Sequence, residues 1–207
     1  MNSKTQRYQV AGPAGAIEAL RDVPQGTSRG VALIAHPHPL LGGTMDNKVV
    51  QTLARAFVTA GWTALRFNFR GVGASAGVYD EGRGETEDLL ALVASQAPDG
   101  PLAVAGFSFG SFVASRALQS LWPARSVEKI VLVGTAAARF EVATLPAESH
   151  DSTLVIHGEV DDTVPLQAVL DWARPQSLPV TVIPGGEHFF HGQLPLLKNL
   201  VVRHLRS

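Results

Sequence analysis

The sequence predicts an α/β fold in which a mostly parallel central sheet carries helices on both faces. Short apolar runs of strand length alternate along the chain with segments of helical periodicity, a pattern typical of parallel strands joined by crossover helices. The chain has 207 residues, of which 45% are hydrophobic and 17% charged. This composition predicts a single folded domain over residues 1–207 that buries a sizeable core.

The elements can be assigned in order along the chain. Two weak strand patterns at residues 6–10 and 16–21, separated by glycine and proline, predict an N-terminal β-hairpin. The later strands are continuous apolar runs, as expected for strands covered on both faces, at residues 30–35, 62–69, 102–105, 129–134, 153–157 and 179–183. The predicted helices are 46–60, 85–97, 111–121, 165–174 and a closing helix, 189–205, interrupted by Pro195.

One of these apolar runs leads directly into the pentapeptide Gly106-Phe-Ser108-Phe-Gly110, and a helical segment follows at once. Strand, sharp turn and helix form the context in which Gly-x-Ser-x-Gly makes a nucleophile elbow with a strained, exposed serine. The two glycines are needed because a Cβ there would collide with the neighbouring helix and strand. The pentapeptide alone also fits a strand-to-helix turn with an idle serine, so the interpretation depends on the other loops.

Polar side chains follow several predicted strands, at the carboxyl ends where parallel sheets hold their sites. Ser108, Asp161 and His188 occur in this order, each in such a loop. A serine hydroxyl is a poor nucleophile near neutral pH, so it needs a base, and histidine has an ordinary pKa near 6.5. An acid would fix the tautomer of that histidine. Asp162 is the rival acid, but its place just before a predicted helix suits a capping role.

Five ordered blocks of the sequence resemble small serine hydrolases of the α/β-hydrolase fold. The similarity is to the short, lidless group near the dienelactone-hydrolase-like and serine-aminopeptidase-like branches, and it spans nearly the whole domain. The blocks are residues 36–50, 66–75, 106–110, 157–165 and 187–192. The resemblance implies an α/β-hydrolase fold and a Ser108–His188–Asp161 triad, because the family spacing His-Gly-x-x-Asp-x-x-Val-Pro selects Asp161. It also implies that the N–H of Phe109 is one oxyanion donor.

The second oxyanion donor is expected in the loop after the strand at 30–35, where the sequence departs from the usual His-Gly opening. Pro37 stands in place of the glycine, and neither Pro37 nor Pro39 has an N–H to donate. His38 is therefore the expected donor, with Leu40 and Leu41 as alternatives if the loop folds differently.

Metal binding, dinucleotide binding and a substrate-binding role for Arg70 are all disfavoured. The histidines at 36, 38, 157 and 191 suggest a metal site, but prolines separate the first two and no nearby acid completes a ligand set. Residues 71–76 fit a loose dinucleotide fingerprint without the helix that would bind the phosphates. We therefore expect neither a metal nor an organic cofactor. Arg70, beside this loop, is expected to hold the loop itself and not a substrate carboxylate.

Charge and composition bear on partners and location. A net charge of −1 without runs of like charge gives no reason to expect binding to nucleic acid or to an anionic membrane. The chain has no cysteine, which excludes disulfides and thiolate catalysis. The N-terminal segment lacks the apolar core of a signal peptide, and no apolar stretch approaches the roughly 20 residues of a membrane helix. A cytoplasmic location is the simplest expectation.

The substrate class is the least constrained part of the prediction. Residues 135–152 are too few for a substantial lid, so the site should be open and suit small or short-chain esters, or be completed by a second subunit in a homodimer. Leu40, Leu41 and Met45 are candidate pocket residues. The same triad serves thioesterases, peptidases, acyltransferases and carbon–carbon hydrolases, and a non-catalytic ligand-binding protein on this fold is the alternative of another class.

Overall fold

The computed structural model describes residues 5–207 and contains one eight-stranded sheet. The strands are β1 (Gln6–Gly12), β2 (Gly15–Asp22), β3 (Val31–Ala35), β4 (Thr63–Phe67), β5 (Leu102–Phe107), β6 (Lys129–Val133), β7 (Thr153–Gly158) and β8 (Val180–Ile183). Their order across the sheet is β1-β2-β4-β3-β5-β6-β7-β8. The sequence predicts no signal peptide in the N-terminal segment. Residues 1–4 of that segment lie outside the described residues.

The sheet is antiparallel only at the edge formed by its first strands. β1 pairs with β2 in a hairpin whose register ends at Gly12 opposite Gly15, and β2 runs antiparallel to β4. The pairs β3–β4, β3–β5, β5–β6, β6–β7 and β7–β8 are all parallel. The predicted N-terminal hairpin and mostly parallel sheet are confirmed, and the carboxyl ends of six strands meet along one edge.

Within residues 5–207, five α-helices cover the two faces of this sheet. They are α1 (Lys48–Thr59), α2 (Arg83–Gln96), α3 (Phe109–Leu121), α4 (Leu166–Ala173) and α5 (Leu194–Arg206). One core lies under α1 and α5, and the other lies under α2, α3 and α4. In β3, Ala32 and Ile34 face the first core while Leu33 and Ala35 face the second. Burial on both faces explains why this strand is apolar throughout.

Among the differences from the predicted helix boundaries, those of α5 and α3 bear on the site. α5 begins at Leu194 and not at residue 189, and Pro195 lies in its first turn, where the missing N–H costs no intrahelical hydrogen bond. Pro195 therefore starts the helix and does not interrupt it. α3 begins at Phe109, two residues earlier than predicted, directly after Ser108. The earlier start places the N-terminal end of α3 at the serine.

The chain between β6 and β7 is short. It contains a 3-10 helix, Ala147–Ser152, and no α-helix, so nothing of lid size rises above this edge of the sheet. In residues 5–207 no helix combines the length and the apolar character that crossing a bilayer would require.

Candidate active site

The loop after β5 makes the sharpest turn of the site. Ser108 has φ 55° and ψ −116°, a backbone conformation that residues with a Cβ rarely adopt. Its backbone N–H donates to the carbonyl of Val133 at 2.8 Å, which ties the turn to β6. A Cβ at Gly106 would lie 2.3 Å from the carbonyl oxygen of Gly110, and one at Gly110 would lie 2.3 Å from that of Ala35. The two glycines are thus required by close backbone packing around the serine.

His188 lies in the loop between β8 and α5 and reaches back to this serine. Its Nε2 is 3.0 Å from Ser108 Oγ, and its ring is almost fully buried beside Phe107, with the centroids 4.9 Å apart. A Cβ at Gly134 would come within 3.2 Å of the ring. Glycine after β6 therefore leaves room for the imidazole, and packing sets its orientation.

Asp161 lies in the loop after β7 and holds the other ring nitrogen. Its Oδ2 is 2.7 Å from Nδ1 of His188, which therefore carries the hydrogen, leaving Nε2 to accept from Ser108. Its Oδ1 accepts the backbone N–H groups of Thr163 at 2.9 Å and Val164 at 2.7 Å. The carboxylate is thus fixed from both sides.

The environment keeps this carboxylate ionised. Burial raises the pKa of Asp161, but the hydrogen bond from His188, the N–H of Val164 and the nearby imidazoles lower it by more, so the pKa lies below its ordinary value. A charged acid at this position stabilises an imidazolium at His188.

Asp162 does not take the capping role that the sequence suggested. Its side chain is exposed and accepts only from the hydroxyl of Thr163, at 3.2 Å. The residue before α4 is Pro165, and no side chain caps that helix. The choice of Asp161 over Asp162 therefore rests on contact with His188 and not on helix capping.

The sequence and the fold of this chain are similar to those of known proteins. Residues 74–171 match a family model described as alpha/beta hydrolase. A crystal structure from Xanthomonas campestris, described as an a/b serine hydrolase without lid, is 35% identical, with a TM-score of 0.87 over 100% of this chain and 95% of that one. The chain belongs to the α/β serine hydrolases.

Two further proteins are similar to this hydrolase, and the first of them is itself described as a serine hydrolase homologue. An alpha-beta serine hydrolase homologue from Coxiella burnetii is 36% identical over 97% of each chain, with a TM-score of 0.84. An uncharacterized protein of Rickettsia prowazekii is 42% identical over 107 residues, which cover 50% of this chain and 45% of that protein. The predicted α/β-hydrolase fold and the resemblance to the lidless group are both confirmed.

In the hydrolase, the loop after β3 is organised by His36. Its Nδ1 is 2.6 Å from the carbonyl oxygen of Pro37, and its Nε2 accepts the N–H of Phe69 at 3.0 Å. These partners require a neutral ring with the hydrogen on Nδ1. Burial lowers the pKa of His36 to about 4, against a smaller opposing effect of the bond to Pro37. His36 thus forms hydrogen bonds at the base of the loop.

The two expected oxyanion donors are the N–H groups of Phe109, at the N-terminal end of α3, and of His38, in the loop after β3. Phe109 is the first residue of α3, so its N–H has no acceptor within the helix. Between residues 5 and 207, no acceptor is hydrogen-bonded to the N–H of Phe109 or of His38. The rings of these two residues lie 5.0 Å apart, centroid to centroid, so the loop that carries His38 packs against the residue that follows Ser108.

The three candidate pocket residues occupy different environments. Leu40 and Leu41 lie in a 3-10 helix, Pro39–Leu41, and are 68% and 69% exposed. Met45 is only 1% exposed, with its N–H bound to Asn68 Oδ1 and its carbonyl bound to Arg66. Solvent does not reach Met45, so it does not line an open pocket in this structure.

The glycine-rich loop after β4 is held by a buried ion pair. Nε and Nη2 of Arg70 donate to the two carboxylate oxygens of Asp88 in α2, at 2.9 and 2.8 Å. Burial of Asp88 and the paired geometry make this a rigid attachment. Arg70 thus holds its own loop, as the sequence suggested. No α-helix begins at residues 71–76; α2 starts at Arg83.

Sequence reasoning missed an aromatic wall next to the serine. We use this term for five rings, those of His38, Tyr79, Phe109, Phe112 and Phe140. Neighbouring centroids are 4.8 to 5.9 Å apart, as in the stacked pair Phe112–Phe140 at 4.8 Å and the pair Tyr79–Phe109 at 5.9 Å. The residues come from four separate segments with no common spacing, so no local pattern could have found them.

The other two histidines that were considered for a metal site, His157 and His191, have hydrogen-bond partners of their own. Nε2 of His157 donates to the carbonyl of Val164 at 2.9 Å, and His191 lies exposed, 3.1 Å from a carboxylate oxygen of Glu187. Within the described part of the chain, no three histidine, aspartate or glutamate side chains are grouped closely enough to hold a metal ion.

Proposed function

We propose that the protein hydrolyses carboxylic esters of small or short-chain acids through a covalent acyl-enzyme. The observation that carries this proposal is the unbroken series of hydrogen bonds from Ser108 Oγ through His188 to Asp161, at 3.0 and 2.7 Å. These distances are within direct proton-transfer range, and the acid is held ionised. A merely structural serine would not need this arrangement.

In the first half of the reaction, Ser108 Oγ attacks the ester carbonyl carbon while its proton passes to Nε2 of His188. Asp161 stabilises the imidazolium through Nδ1. The tetrahedral intermediate collapses as the bond between the acyl carbon and the alcohol oxygen breaks. His188 returns its proton to the leaving alcohol, and the acyl group stays on Ser108.

The oxyanion of the tetrahedral intermediate would be held by the N–H groups of Phe109 and His38. Support comes from their position beside the serine and from the absence of another acceptor for either group among residues 5–207. Donors that need not reorganise during the reaction stabilise developing charge most effectively. The dipole of α3, whose first residue is Phe109, adds to this effect.

In the second half, a water molecule takes the place of the alcohol. His188 removes a proton from the water as it attacks the acyl carbon, and Ser108 leaves as the alcohol with that proton restored to it. Each step uses groups of this chain and water. The short segment between β6 and β7 leaves the site open, which favours small esters over long acyl chains that a lid would enclose.

The decisive experiment is intact-mass analysis after exposure to a fluorophosphonate, which reacts with activated serines. We expect one adduct on the wild type and on Ser120→Ala, a control on the exposed side of α3, and none on Ser108→Ala. Turnover of p-nitrophenyl acetate should fall about a million-fold in Ser108→Ala. A folded wild type that forms no adduct would contradict the proposal and favour a non-catalytic ligand-binding protein.

A further inference from the structure

An open groove lies against the aromatic wall. Its volume is about 660 Å³, and it is lined on one side by Tyr79, Phe112 and Phe140. All three rings contact Phe109, which follows Ser108 directly in the chain. The wall is therefore shared between the groove and the serine, and a planar group extending from the serine would lie on aromatic faces.

The groove also carries charge. Arg116 and Arg139 both line it, and neither forms an ion pair with any residue from 5 to 207. Arg116 lies over the ring of Phe112 at 5.6 Å, whereas Arg139 is exposed. Two guanidinium groups without a carboxylate partner, beside an aromatic surface, form a recognition surface for an aromatic anion.

Two glutamates, Glu81 and Glu141, also line the groove, so the position of each charge matters. The pKa of His38 is lowered by burial and by the positive charge of Arg139, against an opposing effect of Glu85, so the charge of Arg139 acts on one ring of the aromatic wall. The pKa of Tyr79 is raised by burial and by Glu85 and Glu81, so the charge of Glu81 acts on a different ring of the wall.

The geometry also indicates which half of the ester would lie here. The leaving alcohol must be near Nε2 of His188, which returns its proton, and the ring contacts of His188 are with Phe107 and Phe189. Neither of these belongs to the aromatic wall. The wall instead contains His38 and Phe109, the proposed donors to the carbonyl oxygen. The acyl half therefore points along the wall and the alcohol half points away from it.

We propose that the groove binds the acyl half of the substrate, and that this acyl group is aromatic with a negatively charged substituent at its far end, recognised by Arg139 with Arg116. The inference rests on the proposed ester hydrolysis and names its substrate class. The ring would stack on Tyr79 and Phe140, and the anion would receive charge-assisted hydrogen bonds from the guanidinium groups.

The test compares two esters of the same shape, methyl 4-carboxybenzoate and its neutral analogue methyl 4-carbamoylbenzoate. We expect the wild type to prefer the anionic ester about tenfold in kcat/KM, mainly through KM, because charge-assisted bonds to a bound ground state carry the preference. Arg139→Gln should reduce the ratio to near one, and Arg139→Lys should keep part of it. Glu81→Gln should raise the ratio, since it removes an opposing charge.

The matched control is Arg174→Gln, an exposed arginine that pairs with Asp171 outside the groove. It should leave the ratio at the wild-type value. Equal rates on both esters in a wild type that cleaves p-nitrophenyl acetate would overturn the groove assignment and leave ester hydrolysis standing.

If the wild type cleaves none of these esters, calorimetry on Ser108→Ala separates the two proposals. Tighter binding of methyl 4-carboxybenzoate than of the carbamoyl ester, lost in the double variant with Arg139→Gln, would support the groove while ester hydrolysis fails. No difference in binding would overturn the groove as well.

Discussion

Nε2 of His157 lies 3.5 Å from Oδ2 of Asp161. The hydrogen on this nitrogen is donated to the carbonyl of Val164, at 2.9 Å. Burial lowers the pKa of His157, although the bond to Val164 and the charge of Asp161 oppose this, so the ring is neutral near pH 7. Asp161 therefore keeps its negative charge for one partner, His188, and a second imidazole close by does not neutralise it.

Replacing this carboxylate with its amide should remove most of the activity without unfolding the protein. In Asp161→Asn the amide oxygen can still accept from Val164, but the NH2 group then faces Nδ1 of His188. The ring is forced into the tautomer with hydrogen on Nε2, which cannot accept from Ser108. We expect kcat to fall about ten-thousand-fold, measured with p-nitrophenyl acetate alongside a thermal melt.

The adjacent residue provides the control for this variant. Asp162 is exposed, and its side chain accepts a hydrogen bond from Thr163 and none from His188, so Asp162→Asn should keep near-normal kcat. Equal losses in the two variants would mean that the acid has been assigned to the wrong residue.

His36 should make the protein sensitive to mild acid. The unfolded chain binds a proton at His36 near pH 6.5, whereas the folded protein does so only near pH 4. Between these values the unfolded state holds more protons, so the free energy of unfolding falls as the pH is lowered from 6.5 to 4. The stabilisation is fully present above pH 6.5, and the shift corresponds to a loss of about 3 kcal/mol.

Urea denaturation at several pH values checks this expectation. His36→Gln should be less stable than the wild type at pH 7, because the bonds to Pro37 and Phe69 are disturbed. Its stability should nevertheless change less between pH 6.5 and 4. Parallel curves for the two proteins would show that His36 does not cause the acid sensitivity.

The strained turn at Ser108 predicts an unusual order of stabilities. With φ 55° and ψ −116°, alanine keeps the strain of the native serine, whereas glycine relieves it. After allowing for the flexibility of glycine in the unfolded chain, Ser108→Gly should be about 1 kcal/mol more stable than Ser108→Ala. Chemical denaturation of both inactive variants gives the difference.

Ser111 in α3 serves as the comparison, since helical backbone favours alanine over glycine. There the order should reverse, with Ser111→Gly about 1 kcal/mol less stable than Ser111→Ala. A lower stability of glycine at both positions would argue against strain at Ser108.

The contact between α3 and the loop after β3 should be intolerant of a single methyl group. In Gly110→Ala, the added Cβ would lie 2.3 Å from the carbonyl oxygen of Ala35 and 2.7 Å from that of His36. Both are backbone atoms, so the loop that carries His38 must move. We expect a loss of about 3 kcal/mol in stability and a marked loss of kcat.

Gly42→Ala separates crowding from backbone strain. Gly42 has φ 79°, but an added Cβ there would have no neighbouring atom within 4 Å, so only the conformational cost of about 1 kcal/mol applies. If both variants lose the same stability and activity, close packing at Gly110 is not what holds the loop.

Much of the site could be predicted because its parts are encoded locally. Gly106-Phe-Ser108-Phe-Gly110 is a continuous motif, and parallel strands bring the loops that follow them to one edge of the sheet. Asp161 and His188 each follow a recognisable strand. The assignment of these residues therefore needed the chain order and the sheet direction, with the family spacing to choose Asp161 over Asp162, and no knowledge of side-chain packing.

The rest depends on tertiary contacts that a sequence does not display. Met45 is an apolar residue in a loop, which suggested a pocket wall, yet hydrogen bonds to Asn68 and Arg66 hold it in the interior. The start of α5 was misplaced because Phe189 and Phe190 have the apolar character of a helix face. Phe190 instead adopts φ 52° in the preceding turn.

The 80-residue separation between Ser108 and His188 has a consequence for biosynthesis. While the ribosome is still translating the segment between them, the nascent chain can contain the strand–turn–helix around Ser108 but not the base. The serine remains an ordinary alcohol until β8 joins the sheet edge and brings His188 into place. Activation of the serine by His188 therefore has to wait until both segments have been translated and have folded together.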